Sequence, residues 1–102
     1  MYQSRIVGLG HYVPENIVTN DDLSKLMDTD DAWITERTGI KERRLIEKDS
    51  GEGTASMGVK AAKMALERAR VSKDDIDLVI FATLSPDLYF PGSGVLLQDL
   101  MG

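Results

Sequence analysis

The residues best equipped for chemistry sit in one run, Thr29-Asp30-Asp31-Ala32-Trp33-Ile34-Thr35-Glu36-Arg37-Thr38-Gly39-Ile40, which holds the only tryptophan of the chain. Thr29 can N-cap a short helix, Asp30 and Asp31 suit the positive end of its dipole, and Gly39 can end it. Trp33 and Arg37 then fall one helical turn apart, on the same face. A flat indole beside a planar cation can hold a nucleotide base through stacking and cation–π attraction. The same pair can equally be a surface contact worth a fraction of a kcal/mol, and spacing alone puts this plainer reading first.

Other constellations are weaker. Gly8-Leu9-Gly10 opens like a dinucleotide-binding turn, but Val13 stands at the third glycine position and Pro14 follows. Asp28, Asp30 and Asp31 open like a calcium loop, but Trp33 occupies the place of the required glycine. These acids, and the pairs Asp21–Asp22 and Asp74–Asp75, suit helix starts instead. His11 has no second histidine and no cysteine with which to bind zinc, and reads as a turn or interface residue. Ser56, Ser85 and Ser93 lack the setting of a nucleophile elbow. Lys41, Arg43 and Arg44 suit either a phosphate or a solvated strand face, and both readings stay open.

Composition bounds the functional class. The chain has 102 residues, 42% hydrophobic and 28% charged, as expected of a folded chain rather than a disordered one. Its net charge of −5 gives no general attraction to nucleic acid or anionic membrane. With no cysteine, disulfides and thiolate metal sites are excluded, which is compatible with the cytoplasm. No apolar run approaches the roughly 20 residues needed to span a bilayer. Residues 1–20 lack the basic start and continuous apolar core of a signal peptide.

The elements that must position these residues follow from pattern. Residues 5–10 read as a short strand whose Gly8 and Gly10 allow close backbone approach. Thr19 or Asn20 can cap a helix running to Met27, before the Trp33 helix and a strand-like stretch near residues 40–45. Thr54 to about Arg70 is the clearest helix, with Lys60, Lys63, Glu67 and Arg70 on one face and Ala55, Val59, Ala62, Leu66 and Ala69 on the other. Gly58, Ala61, Ala62, Ala65 and Ala69 add a stripe of small residues that permits close packing; core packing is preferred there to a ligand groove. Ser72 and Asp75 suit a capped turn, and Leu78–Ala82 suits a strand covered on both faces. A loop over residues 85–91 follows, and Ser93 can cap a last helix bearing Leu96, Leu97, Leu100 and Met101. Strand–helix–strand order implies an α/β fold.

The run from Thr29 to Ile40, continued by Lys41-Glu42-Arg43-Arg44, resembles the N-terminal signature of the β-ketoacyl-acyl carrier protein synthase III family. Arg5–Gly10 with Tyr12-Val13-Pro14-Glu15, Thr19–Leu23, and Ile76–Thr83 with Phe90-Pro91 also resemble it, in order and through nearly all of the chain. The resemblance implies the N-terminal portion of a thiolase-like layered α/β fold, with residues 1–102 ending before the family's cysteine nucleophile. It implies an acyltransferase that loads an acyl group from acyl-coenzyme A onto that cysteine and condenses it with malonyl-acyl carrier protein, initiating fatty-acid synthesis. Trp33 then matches the tryptophan that stacks on the coenzyme A adenine, Arg37 its coenzyme-contacting neighbour, and Thr29 a threonine of the same site. Phe90 matches a loop aromatic that reaches the partner subunit's acyl pocket.

The expected setting is a cytoplasmic homodimer, acting on acyl-coenzyme A and acyl carrier protein, without metal, cofactor or nucleic acid. No catalytic residue is assigned, and residues 1–102 alone are expected to be inactive. The segment Leu84-Ser85-Pro86-Asp87-Leu88-Tyr89 departs from the pattern of the short-chain enzymes, leaving acyl length and pathway open. The rival reading is a stand-alone coenzyme-binding or interaction module without catalysis.

Overall fold

The structure, a computed structural model, describes residues 1–102. Its contacts gather into two compact units, Val13–Gly51 and the pair of segments Met1–Tyr12 and Glu52–Gly102.

The unit Val13–Gly51 holds β1 (Ile17–Thr19), α1 (Asn20–Ser24), α2 (Asp31–Thr38) and β2 (Glu42–Arg44). The two strands pair antiparallel, Ile17 opposite Arg44, Val18 opposite Arg43 and Thr19 opposite Glu42. Thr19 ends β1 and caps α1 reciprocally with Asp22: the Asp22 N–H donates to Thr19 Oγ1 at 3.1 Å, and the Thr19 N–H donates to Asp22 Oδ2 at 3.1 Å. Regular helix stops at Ser24, short of the expected Met27, and a last turn follows through the Met27 N–H to Leu23 O at 3.0 Å.

At α2 the cap is Asp30, not Thr29. Its Oδ1 accepts the Trp33 N–H at 2.7 Å, the three-residue reach that an N-cap side chain needs. Gly39, at φ 70°, closes the helix in the left-handed conformation, where a glycine carries no steric penalty. Ile34 is buried and anchors α2, while the opposite face is left to solvent.

The second unit is built on α3 (Thr54–Ala69), with a 3₁₀ turn (Lys73–Asp75) and α4 (Ser93–Met101). Ala55 and Val59 are its buried face, and Lys60, Lys63, Glu67 and Arg70 its exposed one, as the periodicity requires. The small-residue stripe is used for backbone approach. A Cβ on Gly10 would overlap Ala61 O and lie 2.6 Å from Ala65 N, and one on Gly8 would lie 2.8 Å from Ala69 Cβ. Residues 8–10 therefore run directly along α3. Further along the helix, Gly58 admits Phe81 and Leu97.

Tyr12 donates to Glu52 Oε1 at 2.7 Å, and Lys60 Nζ donates to the Tyr12 hydroxyl at 3.0 Å while pairing with Glu52. The 3₁₀ turn is capped as expected, Ser72 accepting from Asp74 and Asp75 accepting from Ser72.

Two further expectations change. Residues 5–10 and 78–82 are not strands; the one ladder in the chain is β1–β2. Apolar content marks a segment that suits a sheet, but a strand exists only where a neighbour takes its N–H and C=O groups. Neither segment meets such a neighbour. Ser93 is the first residue of α4 rather than its cap; Gly92, at φ 93°, holds the cap position and has no side chain to offer. The Ser93 hydroxyl is engaged elsewhere.

Candidate nucleotide-binding site

Helix α2 presents Trp33 and Arg37 together, as their spacing requires. Arg37 Cζ lies 4.4 Å from the centroid of the Trp33 ring, a cation–π stack. Trp33 remains 52% exposed, so the indole is not a core residue. No base fits between two groups this close. A base would stack on the other indole face, with Arg37 backing the ring and polarising it, or would displace Arg37.

Thr29 precedes this helix and does not cap it. Its Oγ1 is buried without a hydrogen-bond partner, an unmet polar group just ahead of α2. The acids beside it are spoken for. Asp30 caps α2, and Asp31 Oδ1 accepts from Asn20 Nδ2 at 2.8 Å and from Thr35 Oγ1 at 3.2 Å. The Asn20 hydrogen bond lowers the Asp31 carboxyl against the opposing effect of desolvation, helped by Thr35 and by the charge of Lys41.

Asn20 is the residue the sequence did not reveal. It is 1% exposed and links the elements of its unit. Nδ2 donates to Asp31 and to Ile40 O at 2.7 Å, Oδ1 accepts from Arg43 Nη2 at 3.1 Å, and its N–H donates to Lys41 O. The available signal was an asparagine directly after a better cap, Thr19, with no capping work of its own.

The basic trio is divided by this network. Arg43 is held by Asn20, with Nη1 buried and unpartnered. Arg44 Nη1 donates to Pro14 O at 3.2 Å and Glu15 O at 3.4 Å. Only Lys41 lacks a direct hydrogen bond of this kind, so the trio is not a free phosphate-binding strand face. His11 is exposed, and no group of three or more His, Cys, Asp or Glu residues is placed to hold a metal ion. No helix is long and apolar enough to cross a membrane.

Phe90 belongs to the other unit, in the loop before α4, and is 90% exposed beside an equally exposed Tyr89. A loop carrying two bare aromatic rings suits burial by another surface.

No family model matches the chain. It is 48% identical over 102 residues to β-ketoacyl-[acyl-carrier-protein] synthase III of Clostridium novyi, covering all of this chain and 31% of that protein. The same enzyme name and the same 48% identity recur in Thiobacillus denitrificans. The chain therefore spans less than a third of the length of the curated relatives it matches.

Among solved structures, 3-oxoacyl-[acyl-carrier-protein] synthase III of Aquifex aeolicus superposes with a TM-score of 0.86 at 47% identity, over 94% of this chain and 30% of that one. The priming β-ketosynthase of the R1128 polyketide biosynthetic pathway superposes equally well, at 0.86, with 37% identity over 96% of this chain and 29% of that one. In sequence and in fold, the chain thus corresponds to the N-terminal portion of the β-ketoacyl-[acyl-carrier-protein] synthase III family, part of a thiolase-like α/β fold.

Proposed function

We propose that these residues supply the coenzyme-binding part of a synthase III-type acyltransferase, which condenses acyl-coenzyme A with malonyl-acyl carrier protein. Trp33 stacks on the adenine, Arg37 backs the indole and meets the coenzyme, and Thr29, just ahead of the same helix, belongs to the same site. The exposed Trp33–Arg37 stack carries this reading, because a solvent-facing indole held by a cation is an unsatisfied platform for a base. Phe90 lies in the acyl pocket of a partner subunit, so the working form is a homodimer, placed in the cytoplasm. Condensation needs a cysteine nucleophile that residues 1–102 do not contain, so the part played here is binding rather than bond-making.

Calorimetric titration of coenzyme A onto the complete synthase carrying Trp33→Ala tests the clamp. Affinity should fall by roughly 1–3 kcal/mol, the scale of base–aromatic stacking, with the fold intact. Unchanged affinity removes the assignment. A second reading, a condensing enzyme of a specialised pathway, draws support from the similarity to the polyketide priming ketosynthase. A panel of acyl-coenzyme A starters separates the two: preference for an unusual starter favours the specialised pathway.

A further inference from the structure

The start of α3 is partly buried; Ser56 Oγ accepts the Gly53 N–H at 2.9 Å, but the N-cap residue has no side chain to cap the first turn. Gly53 holds the N-cap position at φ −149°, extended backbone that any residue adopts, so conformation does not call for glycine there. Space does: a Cβ on Gly53 would collide with Asp87 Oδ1. Asp87, in the loop 32 residues beyond Ala55, supplies the missing cap. Its Oδ2 accepts the Ala55 N–H at 2.8 Å. The same oxygen accepts the Ser93 hydroxyl at 2.7 Å, and the Asp87 N–H donates back to Ser93 Oγ at 3.0 Å. Thr54 Oγ1 donates to Ser85 O at 2.6 Å.

Ala55 and Ser93 are 2% and 3% exposed, so the bonds they make with Asp87 are partly shielded, whereas the Thr54–Ser85 bond is exposed. Burial pushes the Asp87 carboxyl up, and the hydrogen bonds from Ser93 and Ala55 outweigh it and hold the group below its ordinary value. One ionised carboxylate thus ties the first turns of α3 and α4 to the loop between residues 84 and 92. Beyond that tie, Tyr89 and Phe90 remain bare.

We propose that Asp87 is a positioning residue, which ties the loop to the first turns of both α3 and α4 and thereby holds Phe90 in the place that sets acyl-chain selectivity. This rests on reading Phe90 as an acyl-pocket residue. Helix capping alone predicts a stability effect; positioning predicts a selectivity effect that stability does not restore.

The two separate in the complete synthase. Asp87→Ala should speed amide exchange at residue 87 by about tenfold or more, since that N–H loses its tie to a fixed Ser93. It should also shift the ratio of kcat/KM for short against long acyl-coenzyme A by roughly tenfold, in the same direction as Phe90→Ala. The double variant Gly53→Ser with Asp87→Ala gives α3 a cap from its own position, in space that the lost carboxylate vacates. It should recover Tm and leave the ratio shifted. Ser93→Ala, which keeps Asp87 on Ala55, should shift the ratio too and serves if Asp87→Ala does not fold.

Recovery of the ratio in the double variant overturns the proposal, as does an unshifted ratio while Phe90→Ala shifts it. Unchanged exchange overturns the tie itself. If Phe90→Ala leaves the ratio alone, the acyl-pocket reading falls, and the selectivity role of Asp87 falls with it even where exchange has quickened.

Discussion

At the scale of single residues, Asn20 and the Trp33–Arg37 pair stand at opposite ends of what a side chain can do. Asn20 spends every polar atom of its side chain inside its own unit, on Asp31, Ile40 and Arg43. Asn20→Ala leaves a carboxylate, a carbonyl and a guanidinium without their buried partner. It should cost about 2–3 kcal/mol in urea unfolding, since three hydrogen bonds are lost, two of them to charged groups. Asn20→Asp should be worse, because it turns a donor facing Asp31 into a second carboxylate. Equal stability of both variants and the parent would show that the network carries no weight. Arg37 spends its guanidinium on a ring that stays exposed, so on the proposed reading its value lies in the ligand it helps to hold. Arg37→Lys keeps the charge and loses the planar stack. Coenzyme A affinity in the complete protein should therefore fall by roughly 0.5–1 kcal/mol, with stability unchanged. Parent-like affinity would mean that charge alone suffices at this position.

At the scale of elements, close approach and capping decide the arrangement. Residues 8–10 reach α3 only because Gly8 and Gly10 have no Cβ. Gly10→Ala pushes a methyl into the backbone of Ala61 and Ala65, which cannot swing aside as a side chain would, and should cost roughly 1–3 kcal/mol or more in thermal unfolding. This packing was legible in advance, because glycines and a stripe of alanines are a local sequence feature. So were the glycine end of α2, the span of α3 and the capped turn at Ser72 and Asp75, which obey spacings of a few residues. Strand formation at residues 5–10 and 78–82 was not legible, because pairing depends on a neighbour that the segment itself does not encode. The cap on α3 was hidden for the same reason: Gly53 shows a vacancy, and only the fold brings Asp87 to it. Capping also links α1 to pH. Asp22 is lowered from 3.8 to about 2 by hydrogen bonds from the Thr19 and Lys25 side chains and from the Thr19 backbone, against slight desolvation. A folded-state value below the unfolded one gives stability that is present above pH 3.8 and is lost as pH falls toward about 2. Asp22→Asn should flatten the stability profile across that window and lower the plateau above it. A slope identical to that of the parent between those limits would show that Asp22 plays no part in acid unfolding.

At the scale of the whole molecule, apolar surface left bare is the dominant feature. Leu78 and Ile80 are 73% and 85% exposed, on the very stretch whose composition suits a doubly covered strand, and Leu84 just beyond it is 103% exposed. Within the same unit, an open groove of about 1140 Å³ is lined by Leu66, Ile76, Val79, Phe81, Leu97 and Met101. Exposed apolar patches of this kind favour association. A net charge of −5 over 102 residues opposes it only weakly at physiological salt, where screening acts within about 8 Å. The 102-residue chain on its own should therefore self-associate, or become ordered only with additional protein around it. It should also make no β-ketoacyl product. There is no cysteine, His11 is exposed with no nucleophile beside it, and Ser93 is buried and committed to Asp87. Sedimentation velocity across a concentration series, with a product assay using acyl-coenzyme A and malonyl-acyl carrier protein, checks both. A cooperatively folding monomer at every concentration would show that the bare Leu78–Leu84 surface needs no cover, and turnover above an enzyme-free control would show that a group within residues 1–102 can act as the nucleophile.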